Sequence, residues 1–215
     1  MEKQRARNKE DKAKRKQSIV DALHTILKGS QSMPSASEIA KYAGVTKGAI
    51  YLYFKTREEI FLTLFLQEAE LFYSDMFPRV RGDDYELRTF RDGFIRFIVD
   101  HPVFMHLGLL APSVLEHNVS ADFLRAFKRS GADGIALFAE AWQPRHPGLS
   151  VAQLQNFTLR MFLLSQVLWQ HHNPPKRVFE VIDAQENWLL QGNLQDSLRE
   201  SFDWMWTGLV SSSLP

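Results

Sequence analysis

The sequence predicts an all-α chain: a compact three-helix N-terminal unit joined to a larger helical body. Three observations carry that expectation. Apolar residues recur at spacings of three and four from Lys14 almost to the C-terminus, the signature of amphipathic helices. Helix start and stop signals crowd the first ~60 residues. No stretch alternates apolar and polar residues as a half-buried strand would, and there is no internal repeat or low-complexity segment.

Taken in order, residues 1–13 lack apolar periodicity and are expected to form a flexible basic arm. From Lys14 a helix begins with Ile19, Leu23, Ile26 and Leu27 on one face, and the Gly29–Pro34 stretch ends it. Ser35, three residues before Glu38, has capping-box spacing for a second helix whose apolar side is Ile39, Ala40 and Ala43. Gly44 suits a left-handed C-terminal stop. Thr46 caps a third short helix reaching about Tyr53, and Thr56, three residues before Glu59, opens a long fourth. Phe90, Phe94 and Phe97 share the face of a fifth helix, which His101-Pro102 interrupts. A short apolar segment from Pro102 to Ala111 should stop at Pro112. A longer helix covers Ala121 to Trp142, with a bend expected near Gly131 and Gly134, before a loop holding Pro144, Pro147 and Gly148. Further helices are expected over Leu154–Leu168, over about Lys176 to Leu190, and through Leu194, Leu198, Phe202, Met205 and Leu209.

Composition bounds the chemistry. With no cysteine, disulfides, thiolate metal sites and cysteine nucleophiles are excluded. The apolar stretches fall short of the ~20 residues that span a bilayer, and the polar, basic start does not resemble a secretory signal, so a cytoplasmic protein without a membrane role is expected. The net charge of +1 hides an asymmetry. Residues 1–55 carry 12 Lys/Arg against 5 Asp/Glu, and residues 56–215 carry 14 against 20. A basic end on an acidic body is the footprint of a chain that offers one part of itself to a polyanion, although a merely solvated tail has the same charge. Fifteen of 16 Phe and all five Trp follow residue 55, so the acidic part owns most of the core.

The stretch Ser35–Lys55 has the economy of a helix-turn-helix: a short helix, a tight turn at Gly44-Val45-Thr46, and a second helix presenting its N-terminal residues outward. Small residues at Ala40, Gly44, Gly48 and Ala49 let the helices cross closely. The run Gly44-Val45-Thr46-Lys47-Gly48-Ala49-Ile50-Tyr51-Leu52-Tyr53-Phe54-Lys55-Thr56-Arg57-Glu58-Glu59-Ile60 resembles the TetR family signature nearly residue for residue, within a match over about residues 14–65. The resemblance implies a DNA-binding domain over residues 14–57 and a helical effector-binding and dimerisation domain over 58–215. It implies a homodimeric transcriptional regulator, a repressor released from palindromic double-stranded operator DNA by a small, largely apolar or aromatic effector. On matching positions, Thr46, Lys47 and Tyr51 would face the groove, while Ser35, Ser37, Tyr53 and Lys55 would hold phosphates. Gly48 would permit close approach, and Ile39, Val45, Ile50 and Phe54 would be core. Tyr53 could instead pack its ring and expose only its hydroxyl. The basic arm (Lys9, Lys12, Lys14, Arg15, Lys16) would add phosphate attraction or, alternatively, a minor-groove contact.

In the body, the resemblance places Phe94, Phe97, Phe104, Met105, Leu109, Phe127, Phe138, Trp142 and Met161 on elements that line an effector cavity, with His106 and Arg125 as polar groups to orient the ligand. Aromatic stripes at helical spacing also make ordinary core. Two seams could build a four-helix dimer interface: Leu154, Phe157, Met161, Leu164 and Leu168, and Leu198, Phe202, Met205 and Leu209. Either could instead pack within its own subunit. The seven His lack helical metal-ligand spacing, so no metal is expected. No phosphate loop, nucleophile elbow or paired carboxylate motif appears, so neither an enzyme nor a cofactor is expected. The competing reading is an architectural or partner-controlled DNA-binding protein with a filled core and no small-molecule effector.

Overall fold

A computed structural model describes residues 2–30, 32–182 and 191–212, and the side chains from residue 10 onward within them. Among the described residues the fold is helical, with no strand. Its elements are α1 (Glu2–Gly29), α2 (Ala36–Tyr42), α3 (Lys47–Ile50), α4 (Arg57–Arg81), α5 (Leu87–Asp100), α6 (Pro102–Leu110), α7 (Ala121–Trp142), α8 (Val151–His172), α9 (Lys176–Val181) and α10 (Leu194–Ser211).

The first helix begins at Glu2, well before the expected start at Lys14, so the expected flexible arm has helical backbone. Apolar periodicity could not reveal this. The stretch is rich in Glu, Lys, Arg, Gln and Ala, which favour helix without a buried face. One turn is supported by an exposed Glu10–Lys14 pair at 2.8 Å. Burial starts where the apolar pattern does, at Ile19, Val20 and Leu23.

The N-terminal core is Ile19, Leu23, Leu27, Ile39, Ile50 and Phe54, and it continues without a break into Ile60, Phe61 and Leu64 of α4. The same cluster reaches Val103 and Leu107 of α6 and Phe127 of α7. α4 therefore belongs to both parts of the molecule. At its far end, Arg145 donates to the carbonyls of Val80, Arg81 and Gly82 at 2.9, 2.7 and 2.6 Å, satisfying groups that a helix terminus leaves open.

One further expectation is corrected. Pro112 does not stop the chain: a π-turn runs over Ala111–Leu115 and a 3-10 turn over Glu116–Asn118. Pro112 has no N–H to offer the last turn of α6, and neighbouring groups serve its carbonyls instead: Ala111 N–H donates to Leu107 O, and the Ser113 hydroxyl donates to Leu109 O at 2.8 Å. α7 covers the expected Ala121–Trp142 range without a break at Gly131 or Gly134. Gly134 serves packing, since a Cβ there would lie 2.6 Å from the Tyr73 ring of α4. Of the helix expected over Lys176 to Leu190, Lys176–Val181 is helical and residues 183–190 lie outside the described residues.

Candidate nucleic-acid interface and effector core

The turn between α2 and α3 forms as its residues require. Gly44 adopts φ +65°, where a side chain would be strained, and the next amide, on Val45, donates to Ala40 O at 3.0 Å. Ser35 and Glu38 close a reciprocal capping box: Ser35 N–H donates to the Glu38 carboxylate at 2.7 Å and Glu38 N–H to the Ser35 hydroxyl at 3.3 Å. That carboxyl is held below the usual value by the Ser35 backbone and side-chain hydrogen bonds. Thr46 caps α3 by accepting from Ala49 N–H at 3.1 Å. A hydroxyl that accepts still has its own hydrogen to donate. Ser35 and Thr46 are thus held in one rotamer, exposed, and able to donate to a phosphate.

α3 is one turn long, and Tyr51–Tyr53 follow in a hydrogen-bonded turn rather than as helix. Buried Ile50 and Phe54 fix this turn from beneath, and Lys16 of α1 lies over the Phe54 ring at 5.1 Å. Glu59, 5% exposed, accepts from Lys55 N–H at 2.7 Å, so the acid expected to complete a capping box at Thr56 reaches one residue further back. The resulting face exposes Ser37, Thr46, Lys47, Gly48, Tyr51 and Lys55, with Tyr53 half-buried. Two exposed side chains on this head were missed in the sequence: Tyr42 (63% exposed) and Leu52 (73% exposed). Leu52 reads as one more apolar residue in the pattern, and only its position in the turn reveals that it points outward.

In the body, Phe94, Phe97, Phe104, Met105, Phe127, Phe138, Trp142 and Met161 are buried, and Leu109 and His106 are half-buried. They pack on one another: Phe90 lies 4.6 Å from Trp142, and Phe72 lies 5.3 Å from Phe97 and 6.2 Å from Phe104 and Phe138. Phe127 stands apart from Phe138, meeting Phe65 in the cluster shared with the head. Arg125 does not point inward. It is exposed and paired with Asp122 at 3.0 Å, because its position on α7 faces away from α4 and α8. Polar residues that do lie inside include Gln166, packed so closely on Gly108 that a Cβ there would meet its amide, and Ser165, which donates to Met161 O. The Thr158 hydroxyl oxygen is also buried, without a hydrogen-bond partner. Nothing in the hydrophobic pattern flags such groups.

The residues of the two expected dimer seams are covered to different degrees within the single chain. Leu154, Phe157, Met161, Leu198 and Phe202 are buried within the single chain, while Leu164, Leu168, Met205 and Leu209 are half-buried, the last three packed against the main core cluster. These stripes close the core between α5, α8 and α10. The apolar residues left on the outer side are Leu159, Leu163 and Val167 of α8, and Trp204 (71% exposed) and Val210 of α10.

Among the described residues no group of three or more His, Asp or Glu stands in metal-binding geometry. No single described helix is long and apolar enough to cross a membrane.

The family model described as "Bacterial regulatory proteins, tetR family" matches residues 34–64, and that described as "Tetracyclin repressor-like, C-terminal domain" matches residues 66–213. The chain is 38% identical over 68 residues to the fatty acid metabolism regulator protein of Bacillus subtilis, a match spanning 32% of this chain and 35% of that one. Among solved structures, the fatty acid degradation regulator FadR from Bacillus halodurans aligns over 88% of this chain and 93% of its own, with a TM-score of 0.54 and 14% identity.

Proposed function

The chain belongs to the TetR family of bacterial regulatory proteins, and from that premise we propose that it is a homodimeric repressor released from a palindromic operator by a fatty-acyl type of effector. As a member of that family it is a DNA-binding transcriptional regulator and not an enzyme. The observation that carries the proposal is the pairing of a pre-capped, outward reading face with an apolar aromatic body through the shared helix α4.

Thr46, Lys47 and Tyr51 then read base edges from the N-terminal turn of α3. Ser35, Ser37, Tyr53 and Lys55 hold phosphates, and Leu52 offers an apolar contact to a thymine methyl. Two heads about one DNA turn apart require a fixed dimer, which the outer face of Leu159, Leu163, Val167 and Trp204 supplies. Small residues beside Trp204, notably Gly208 with no atom within 4 Å of a Cβ, let a partner helix approach. The acyl class rests on the two regulators of fatty acid metabolism and degradation that the chain resembles. Its chain would lie among Phe104, Phe65 and Phe162, with Gln166 and Thr158 as polar groups nearest the apolar path. The protein would work in the cytoplasm.

Footprinting on the DNA upstream of its own gene, with and without fatty acids and acyl thioesters, tests this reading. Protection of a palindrome that acyl compounds relieve is the expected result. The close ring packing of the core favours a second reading, a partner-controlled DNA binder with no small-molecule effector. Protection that no acyl compound relieves would select it.

A further inference from the structure

Glu68 lies on α4 at the joint between head and body, and its side chain is 4% exposed. One carboxylate oxygen stands 3.3 Å from His24 Nε2 on α1, and the other 3.4 Å from His101 Nδ1 at the corner between α5 and α6. His24 belongs to the head and His101 to the body. The His101 ring lies flat on Phe97, with centroids 3.8 Å apart and planes within 7°, and Phe97 packs edge-on against Phe72 and Phe104 of the aromatic core. A buried carboxylate is costly unless it is hydrogen-bonded. Here the stabilising contacts come from two elements that must keep their relative positions to supply them.

We propose that His24, Glu68 and His101 form a proton-controlled latch that fixes the DNA-binding head on the body. The latch is independent of whether the body takes a small molecule. His101 Nδ1 is within hydrogen-bond distance of one Glu68 oxygen, and His24 Nε2 stands at ion-pair distance from the other. Around His24 stand Glu68 from α4, Lys28 and Asp21 from its own helix, and His101. Around His101 stand Asp100 and Arg96 of α5 and Asp75 and Arg79 of α4, the charged groups of the surface groove it lines. Burial holds His24 below the ordinary histidine value of 6.5, against the attraction of Glu68, with Lys28 and His101 adding to the depression and Asp21 opposing it. At His24 the closed joint therefore takes up a proton less readily than the open one. Its stability is fully present above the ordinary value and is lost as pH falls through the depressed one. Acid opens the latch.

Hydrogen exchange of the full-length protein, corrected for the intrinsic pH dependence of exchange, reads the latch in the amides of α1. Between about pH 8 and about pH 5.5, α1 protection should fall several-fold relative to α8. His24→Gln should abolish that fall, and Glu68→Gln should lower α1 protection at every pH while leaving α8 unchanged. If Glu68→Gln fails to fold by circular dichroism, His24→Gln and His101→Gln carry the test, since both wild-type side chains are 30% exposed. Wild-type protection that stays flat or rises with acid, or an unaltered pH dependence in His24→Gln, overturns the latch.

Discussion

The reading face is stiffened by residues that are not themselves expected to touch bases. The Ser35–Glu38 box, the Thr46 cap and the Glu59 contact to Lys55 N–H pin the three ends of the helix-turn-helix, each such cap contributing on the order of 1 kcal/mol. Lys47 and Tyr51 stand clear of these bonds and are exposed. Tyr51→Ala and Lys47→Ala should therefore leave circular dichroism and thermal stability unchanged. In operator titrations each should weaken binding by about 1–3 kcal/mol, the scale of a lost base contact. Wild-type affinity in both would remove them from the interface. Lys55, exposed beside the N-terminus of α4, should behave differently. Lys55→Ala is expected to weaken binding to all sequences alike and to lower the salt slope by about one unit per subunit; an unchanged slope would place Lys55 off the phosphates.

Between elements, packing decides what the hydrophobic pattern leaves open. α7 lies so close to α4 that Gly134 meets the Tyr73 ring, a ring held between Phe72, Phe77 and Phe138. Gly134→Val should destabilise the fold by about 1–3 kcal/mol through overpacking, measured by urea unfolding, although a smaller β-free residue normally weakens a helix. On α8 and α10 the inward stripes are core, so charges at Phe202 test folding rather than assembly. Assembly is tested on the outer face. Leu163→Glu combined with Trp204→Glu should give monomers by analytical ultracentrifugation, with helicity kept and operator binding reduced to weak, salt-sensitive association. A dimer of unchanged strength would place the interface elsewhere.

At the scale of the whole molecule, His24, His146 and His172 are each held below the ordinary histidine value, chiefly by burial. His146 Nε2 lies 2.6 Å from the Tyr85 hydroxyl, whose oxygen accepts from Trp142 Nε1–H at 2.9 Å. Burial pushes that phenol up to about 12, so it stays protonated and donates to a neutral imidazole. Protonating His146 removes the acceptor. All three groups have folded values below their unfolded ones, so the stability they contribute is present above about pH 6.5 and is lost as pH falls through the depressed values. The melting temperature should accordingly drop between about pH 7 and about pH 5, and His146→Gln should flatten part of that drop. A melting temperature independent of pH over this range would contradict the assignment of neutral, buried imidazoles.

The caps and turn of the helix-turn-helix were legible in the sequence because their signals are local. Caps at Ser35, Thr46 and Thr56, a left-handed glycine at position 44 and a 17-residue motif from Gly44 to Ile60 all act within a few residues of one another. Local composition likewise showed that the body is helical and aromatic. What periodicity could not assign was which side of a stripe meets what. Leu154, Phe157 and Phe202 have the spacing of an interface and the burial of a core, because a helix with neighbours on several sides carries more than one apolar face. The inward turn of Gln166, the outward turn of Arg125 and Leu52, and the meeting of His24, Glu68 and His101 depend on residues far apart in the chain. Only the packing of α1, α4 and the α5–α6 corner brings those groups within hydrogen-bond reach, and no spacing along the chain encodes a distance between helices.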